Sequence, residues 1–176
     1  MSAITNNYNS RTLTQIKLFL AGALAALLFV SQVQARGITG KQGMLQVTTM
    51  SGKRIDLKQY RGKPVLVVFW ATWCKTCEVE MPALEKFYAA HKSSLEIIAV
   101  SVDRVKKPVK KYLKQHKLSY PVAWLEAEDT KSNFDNIQVT PTAFLVDPQG
   151  KVARKLFGRL SEKQLLQLIK PYVSQI

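Results

Sequence analysis

An α/β fold, with a mixed central β-sheet flanked by helices and a small β-hairpin ahead of it, is what this sequence predicts. Three observations carry that prediction. Val65-Leu66-Val67-Val68-Phe69-Trp70 is an unbroken apolar run rich in β-branched residues, the mark of a strand buried on both faces. Leu95 to Val102, apolar but for Glu96 and Ser101, reads as a second buried strand, and a stretch of helical character comes after each of them. Ahead of both, Leu45 to Thr49 and Arg54 to Leu57 flank Ser51-Gly52, which reads as a hairpin.

The remaining elements come in order. Arg61-Gly62-Lys63-Pro64 is a turn that opens the first buried strand. A helix is expected from about Cys74 to His91, with Leu84, Phe87 and Tyr88 among its apolar positions. Between Arg104 and Lys117, Val105, Val109, Tyr112 and Leu113 recur at intervals of three and four, the apolar stripe of an amphipathic helix. Pro121 to Trp124 reads as a short strand, and a short helix is expected between Asp129 and Asn136. Ala143 to Val146 is a strand, Asp147-Pro148-Gln149-Gly150 a turn, and Val152 to Phe157 the hairpin partner. Ser161 caps a last helix, Glu162 to Tyr172, whose stripe includes Leu165, Leu166, Leu168 and Ile169. This alternation predicts helices over both faces of the sheet.

A chain of 176 residues, 47% hydrophobic, suits one globular domain with a real core. Its first part has a different character. Arg11 and Lys17 precede an uncharged 13-residue run, Leu18 to Val30, and Val33-Gln34-Ala35 offers a cleavage site. A basic region, a short apolar core and small residues at the end describe an export signal. Thirteen residues fall short of the roughly 20 that span a bilayer, although an uncleaved anchor is the competing reading. The expected division is a signal at 1–35 and one domain at 36–176, working in the periplasm or another extracytoplasmic space where disulfides persist.

The formal charge is +14, and removing 1–35 takes away Arg11 and Lys17 and no acid, leaving +12. Such a field favours acidic partners, anionic headgroups or nucleic acid. Its densest stretch holds Arg104, Lys106, Lys107, Lys110, Lys111, Lys114 and Lys117. No aromatic interleaving or nucleic-acid motif accompanies them, so the reading is the solvated face of a helix, with no nucleic-acid partner.

The chemistry concentrates at Trp73-Cys74-Lys75-Thr76-Cys77, where a buried strand gives way to a helix. Unsatisfied N–H groups and the positive end of the macrodipole at a helix N-terminus stabilise a thiolate, and the thiolate is what attacks disulfides. Cys74 would lie at that end as the nucleophile. Cys77, one turn along and more buried, would resolve the mixed disulfide. Lys75 adds a nearby positive charge that lowers the Cys74 pKa further and favours oxidation of partners. Zinc would need two more ligands, and His91 and His116, the only histidines, stand alone. A bridge across two residues closes almost no loop, which argues against a purely structural disulfide. A Cys–His hydrolase lacks its signature, and a thiol peroxidase would need a Thr three residues before its cysteine, where this chain has none. A different class remains open: a copper-handling module with Cys74 and Cys77 as soft ligands and Met81 as the only nearby third.

Val68-Phe69-Trp70-Ala71-Thr72-Trp73-Cys74-Lys75-Thr76-Cys77, followed by Glu80-Met81-Pro82-Ala83-Leu84, resembles the active-site segment of extracytoplasmic thioredoxin-like proteins of the TlpA/ResA type, which include cytochrome c maturation reductases. The resemblance runs from about Leu45 to Tyr172 and takes in Gly62-Lys63-Pro64, Ser101-Val102-Asp103 and Val139-Thr140-Pro141-Thr142-Ala143-Phe144-Leu145-Val146-Asp147. It implies a thioredoxin-like fold and thiol–disulfide oxidoreductase activity without a cofactor or metal. It implies that Pro141 is a cis-proline facing the two sulfurs and that Thr140 offers its backbone to an extended substrate. Glu80 would move protons around the buried cysteine, an exposed helix glutamate beside Glu78 being the alternative. Trp73, Lys75 and Thr76 would shape the substrate surface, and Pro82 would kink the helix. Many relatives carry proline or glutamate where this chain has Lys75, which leaves the direction of transfer open. The implied partners are disulfide-containing exported proteins, such as apocytochrome c or copper-site proteins, and a membrane electron donor; the chain is expected to be a monomer.

Overall fold

The computed structural model describes residues 39–135 and 137–173; the segment read as an export signal lies outside them. The chain runs β1 (Leu45–Thr48), β2 (Arg54–Asp56), a 3-10 turn (Leu57–Tyr60), β3 (Val65–Trp70), α1 (Lys75–His91), β4 (Glu96–Ser101), α2 (Lys106–Gln115), β5 (Val122–Trp124), β6 (Lys131–Ser132), β7 (Thr142–Val146), β8 (Val152–Phe157) and α3 (Glu162–Val173). Five strands form the central sheet in the order β5-β4-β3-β7-β8. β3, β4 and β5 are parallel, and β7 and β8 make antiparallel pairs, β7 with β3 and β8 with β7. The sheet is therefore mixed, with the apolar run of β3 at its centre, and the hairpin of β1 and β2 precedes it.

Side chains on β3, β4 and β7 alternate between two cores. Leu66, Val68, Trp70, Ile97, Ala99, Ala143 and Leu145 point to one side, where they meet Met81, Leu84 and Phe87 of α1, Val109 and Tyr112 of α2, and Leu165 and Ile169 of α3. Val65, Val67, Phe69, Ile98, Val100, Phe144 and Val146 point to the other, where they meet Leu45, Val47, Ile55, Leu57 and Phe134. The helices thus cover one face, not both as the alternation predicts. The reason is topological. The connections β3-α1-β4 and β4-α2-β5 step across the sheet in the same direction, and a right-handed crossover places both helices on the same side. The opposite face is closed by a three-stranded sheet, β2-β1-β6.

β6 corrects a second expectation, that of a helix after Asp129. The open edge of β1 offers ladder partners there, and Leu45 pairs with Ser132 and Gln46 with Lys131. The Asn133 side chain then accepts from Met44 N–H at 2.7 Å and donates to the Gln42 carbonyl at 2.8 Å, fixing the segment to the start of β1. This lets Phe134 reach Phe69 and Phe144, with ring centroids 6.0 and 4.9 Å away. A tertiary edge and an aromatic socket override a weak local preference.

Two stripe residues are also displaced. Val105 is the exposed N-cap of α2 and not part of its buried face, and Leu166 of α3 is exposed beside buried Leu165 and Ile169. The Ser161 cap is reciprocal: its hydroxyl accepts from Gln164 N–H, and Gln164 Oε1 accepts from Ser161 N–H at 2.9 Å. At the turn before β8, Gly150 has φ +78, and the Arg61 guanidinium fills the space a Cβ would need. Arg61 also donates to the Gln149 carbonyl and to Gln42 Oε1, tying this turn to the one that opens β3.

Because Phe134 belongs to the core opposite the cysteines, Phe134→Ala should cost about 3 kcal/mol or more in urea unfolding while leaving thiol reactivity unchanged. Loss of thiol reactivity at full stability would show that the two faces are not separable in this way.

Candidate active site

β3 delivers the chain to the site, and a clasp from β4 fixes the turn beyond it. Past Trp70, the Thr72 N–H and hydroxyl both donate to the Asp103 carboxylate, at 3.0 and 2.6 Å. Ser101 Oγ donates to the same carboxylate at 2.7 Å and accepts from Asp103 N–H at 3.1 Å. Trp124 Nε1, at the end of β5, donates to the Asp103 carbonyl at 2.6 Å. Three parallel neighbours are thus tied together at their carboxyl ends, the edge where ligands meet open α/β sheets. Asp103 is only 3% exposed, and each carboxylate oxygen has a partner.

The clasp holds the turn into α1. Cys74 N–H donates to the Ala71 carbonyl at 3.2 Å, and Cys74 itself is the N-cap in an extended conformation. Its Sγ accepts the Cys77 N–H at 3.1 Å, the place taken by an oxygen in most capped helices. Cys74 and Cys77 are disulfide-bonded, with Cα atoms 5.2 Å apart. Cys74 keeps 7% of its surface and Cys77 none. An incoming sulfur can therefore reach Cys74 and not Cys77. Facing them is the loop before β7, where the Thr140–Pro141 peptide bond is cis and the Thr140 carbonyl oxygen stands 3.4 Å from Cys74 Sγ.

The other residues singled out in the sequence divide sharply by burial. Trp73 is 68% exposed, so it is surface and not core, and Lys75, Thr76 and Glu78 are exposed beside it. Glu80 is the opposite. It is 1% exposed, its Oε1 accepts the Leu160 N–H at 3.0 Å, and its Oε2 has no hydrogen-bond partner among the described residues. The alternative of an exposed glutamate is thereby removed. Burial pushes its carboxyl up to about 7, against the smaller opposing pull of the Leu160 N–H and the Arg159 charge. Pro82 sits inside α1 and withholds the N–H that would serve the Glu78 carbonyl. Met81, the soft side chain a copper site would recruit, is fully buried in the helix-side core, with the Tyr120 hydroxyl 3.8 Å from its Sδ. Among the described residues no group of three or more His, Cys, Asp or Glu is arranged to hold a metal ion.

Sequence reasoning did not single out the Thr72–Asp103–Trp124 clasp or the Leu160 donor. Asp103 did carry a signal, a carboxylate two residues past an all-buried strand, where it must find donors. Leu160 carried none, because its backbone reaches Glu80 from 80 positions away. Chemically, the arrangement is a dithiol–disulfide couple with one approachable sulfur, one sealed sulfur and a buried carboxyl that titrates near neutrality.

Comparison with known proteins agrees. Residues 40–155 match the AhpC/TSA family. The chain is 36% identical over 159 residues to the thiol-disulfide oxidoreductase ResA of Bacillus cereus, covering 88% of this chain and 91% of that protein. It is 35% identical over 125 residues to ResA of Bacillus subtilis, covering 69% of each. Among solved structures it is similar in fold to StoA from Bacillus subtilis, with a TM-score of 0.61 at 22% identity over 73% of this chain and 98% of that one. A thiol:disulfide interchange protein of the thioredoxin family from Chlorobium tepidum gives 0.65 at 24% identity, over 80% and 99%. With the site geometry and these matches together, the chain belongs to the AhpC/TSA family, as a thioredoxin-like thiol–disulfide oxidoreductase of the ResA type.

Proposed function

We propose that this oxidoreductase works outside the cytoplasm and reduces disulfides in exported proteins, with Cys74 as nucleophile, Cys77 as resolving thiol and Glu80 as proton acceptor. The observation that carries the order of attack is the contrast at the start of α1: Cys74 Sγ caps the helix and keeps some surface, while Cys77 is sealed. The Cys74 thiolate attacks one sulfur of the client disulfide, forming a mixed disulfide and releasing the other client sulfur as a thiolate. Cys77 then gives up its proton and attacks Cys74 Sγ, which releases the second client thiolate and closes the Cys74–Cys77 bond. Two electrons pass to the client, and a membrane thiol donor has to return them. The reducing direction rests on the resemblance to the TlpA/ResA group. The helix dipole and Lys75 act against it, because both stabilise the reduced thiolate.

Glu80 suits the proton step by position and by affinity. It lies one turn past Cys77 on α1, where side chains three apart are neighbours, and both residues are closed to solvent. A carboxyl that titrates at about 7 can take a proton from a thiol in its ionised form and release it again near neutral pH. The exposed Trp73, Lys75 and Thr76 and the Thr140 backbone form the surface on which an extended client segment would lie. The basic, apolar and small-residue regions of 1–35 support export into the periplasm or a comparable space. Fitting clients there are apocytochromes, with their paired cysteines, and copper-site proteins.

Trapping in the producing cell tests the order of attack. Cys77→Ser should accumulate mixed disulfides through Cys74, and Cys74→Ser should accumulate none; the reverse pattern would exchange the two roles. Resolution of a preformed mixed disulfide should accelerate as pH rises through about 7, where Glu80 becomes the carboxylate. Glu80→Gln should remove that limb and slow the step by about 100-fold. A pH profile unchanged in the variant would exclude Glu80 from proton transfer.

A further inference from the structure

Most of the cations on and beside α2 are arranged against the stability of the helix, Lys114 in its last turn being the exception. Arg104, Lys106, Lys107, Lys110, Lys111, Lys114 and Lys117 are all exposed. None has a carboxylate or hydrogen-bond partner among the described residues. Lys107 stands three and four positions from Lys110 and Lys111, and Lys110 four from Lys114, spacings at which like charges on a helix repel. Lys106 and Lys107 occupy the first turn, the positive end of the dipole, where acidic residues belong and none is present. Val105 provides no side-chain cap. A solvated helix face accommodates these lysines, and an approaching negative surface would in addition relieve their mutual repulsion.

The position of the face says which approach matters. β3 and β4 are parallel and in register from Val65/Glu96 to Trp70/Ser101, so the Cys74 turn and the start of α2 leave the sheet at the same end. The Thr72–Asp103 clasp locks the two together, and Arg104 comes directly after it. A cavity of about 290 Å³ joins the surfaces, lined by Thr72 and Glu78 on the cysteine side and Lys111, Gln115 and His116 on the α2 side. Around the cysteines and the cis-proline loop, three large apolar side chains are exposed beside the polar Lys75, Thr76 and Gln138. They are Trp73, Val139 and Phe157, the last paired across the sheet with Thr142, the residue after the cis-proline. Whatever covers Arg104 and Lys111 therefore lies against the rim of the redox site. A bilayer seated there would crowd Cys74, whereas a protein that must bring a disulfide to Cys74 would be steered by it.

We propose that the exposed cationic face of α2 is a docking surface for an acidic protein partner in disulfide exchange, placing that partner's disulfide over Cys74 while an apolar segment meets Trp73, Val139 and Phe157. This rests on the redox reading above and adds the charge of the partner. Electrostatic complementarity of this kind acts on the association rate and fades with salt.

The test uses the reduced protein and two disulfide-bridged peptides, identical except that aspartates flank the bridge in one and lysines in the other. The acidic peptide should be reduced faster by about tenfold at low ionic strength, and the ratio should collapse towards one in high salt. In Lys107→Glu/Lys110→Glu/Lys111→Glu/Lys114→Glu the ratio should invert. Because the readout is a ratio on one sample, misfolded molecules drop out of both rates. Equal rates for the two peptides in the unmodified protein would overturn the docking proposal and leave the redox reading intact. Failure to reduce either peptide or hydroxyethyl disulfide would overturn both. Equal peptide rates with tight, lysine-dependent binding to phosphatidylglycerol vesicles would overturn it in favour of a lipid surface.

Discussion

The sulfur of Cys74 occupies the position at which helices ordinarily carry a serine or aspartate oxygen, and accepts the Cys77 N–H at 3.1 Å. One contact thereby serves two purposes. It satisfies an amide that the helix leaves unpaired, and it keeps the reacting atom at the positive end of α1, where negative charge is favoured. Cysteine is a poor cap by the standards of folding, since sulfur accepts weakly. The helix begins on it nonetheless, and the surrounding structure makes good the difference.

That support comes from the sheet. β3 is buried on both faces by two separate cores, so the point at which it releases the chain is fixed. The Asp103 carboxylate then holds Thr72, two residues ahead of Cys74, through both its N–H and its hydroxyl. Hydrogen bonds to a charged acceptor in such a protected position are among the stronger ones available to a protein. Behind the disulfide, Glu80 is packed under the Leu160 backbone with one oxygen unpartnered among the described residues. A buried, half-satisfied carboxyl costs stability when ionised, and it stands one turn from Cys77 in the same closed environment.

Much of this was legible in the sequence, and the unread parts share a cause. Val65–Trp70, apolar throughout, and Leu95–Val102, apolar but for Glu96 and Ser101, announced buried strands because so much apolar side chain in so short a stretch leaves few alternatives, and Cys74-x-x-Cys77 at a strand-to-helix junction defined its own chemistry. Which face each helix covers depends on strand order, which periodicity does not encode. The stretch around Lys131–Ser132 became a strand only because β1 had a free edge to offer. Glu80 reads the same as Glu78 along the chain. Only the fold separates them, burying one beneath Leu160 and leaving the other in solvent. Long-range backbone contacts were invisible where side-chain pattern was not.

The asymmetry of the two sulfurs is most directly measured by alkylating the fully reduced protein with iodoacetamide across a pH series and mapping the modified residue by mass spectrometry. Cys74 alone should be labelled, with a midpoint well below the roughly 8.5 of a free cysteine, while Cys77 stays protected until the protein unfolds. Labelling of Cys77 in the folded protein, or a Cys74 midpoint at or above that of a free thiol, would contradict a nucleophile set by the helix N-terminus.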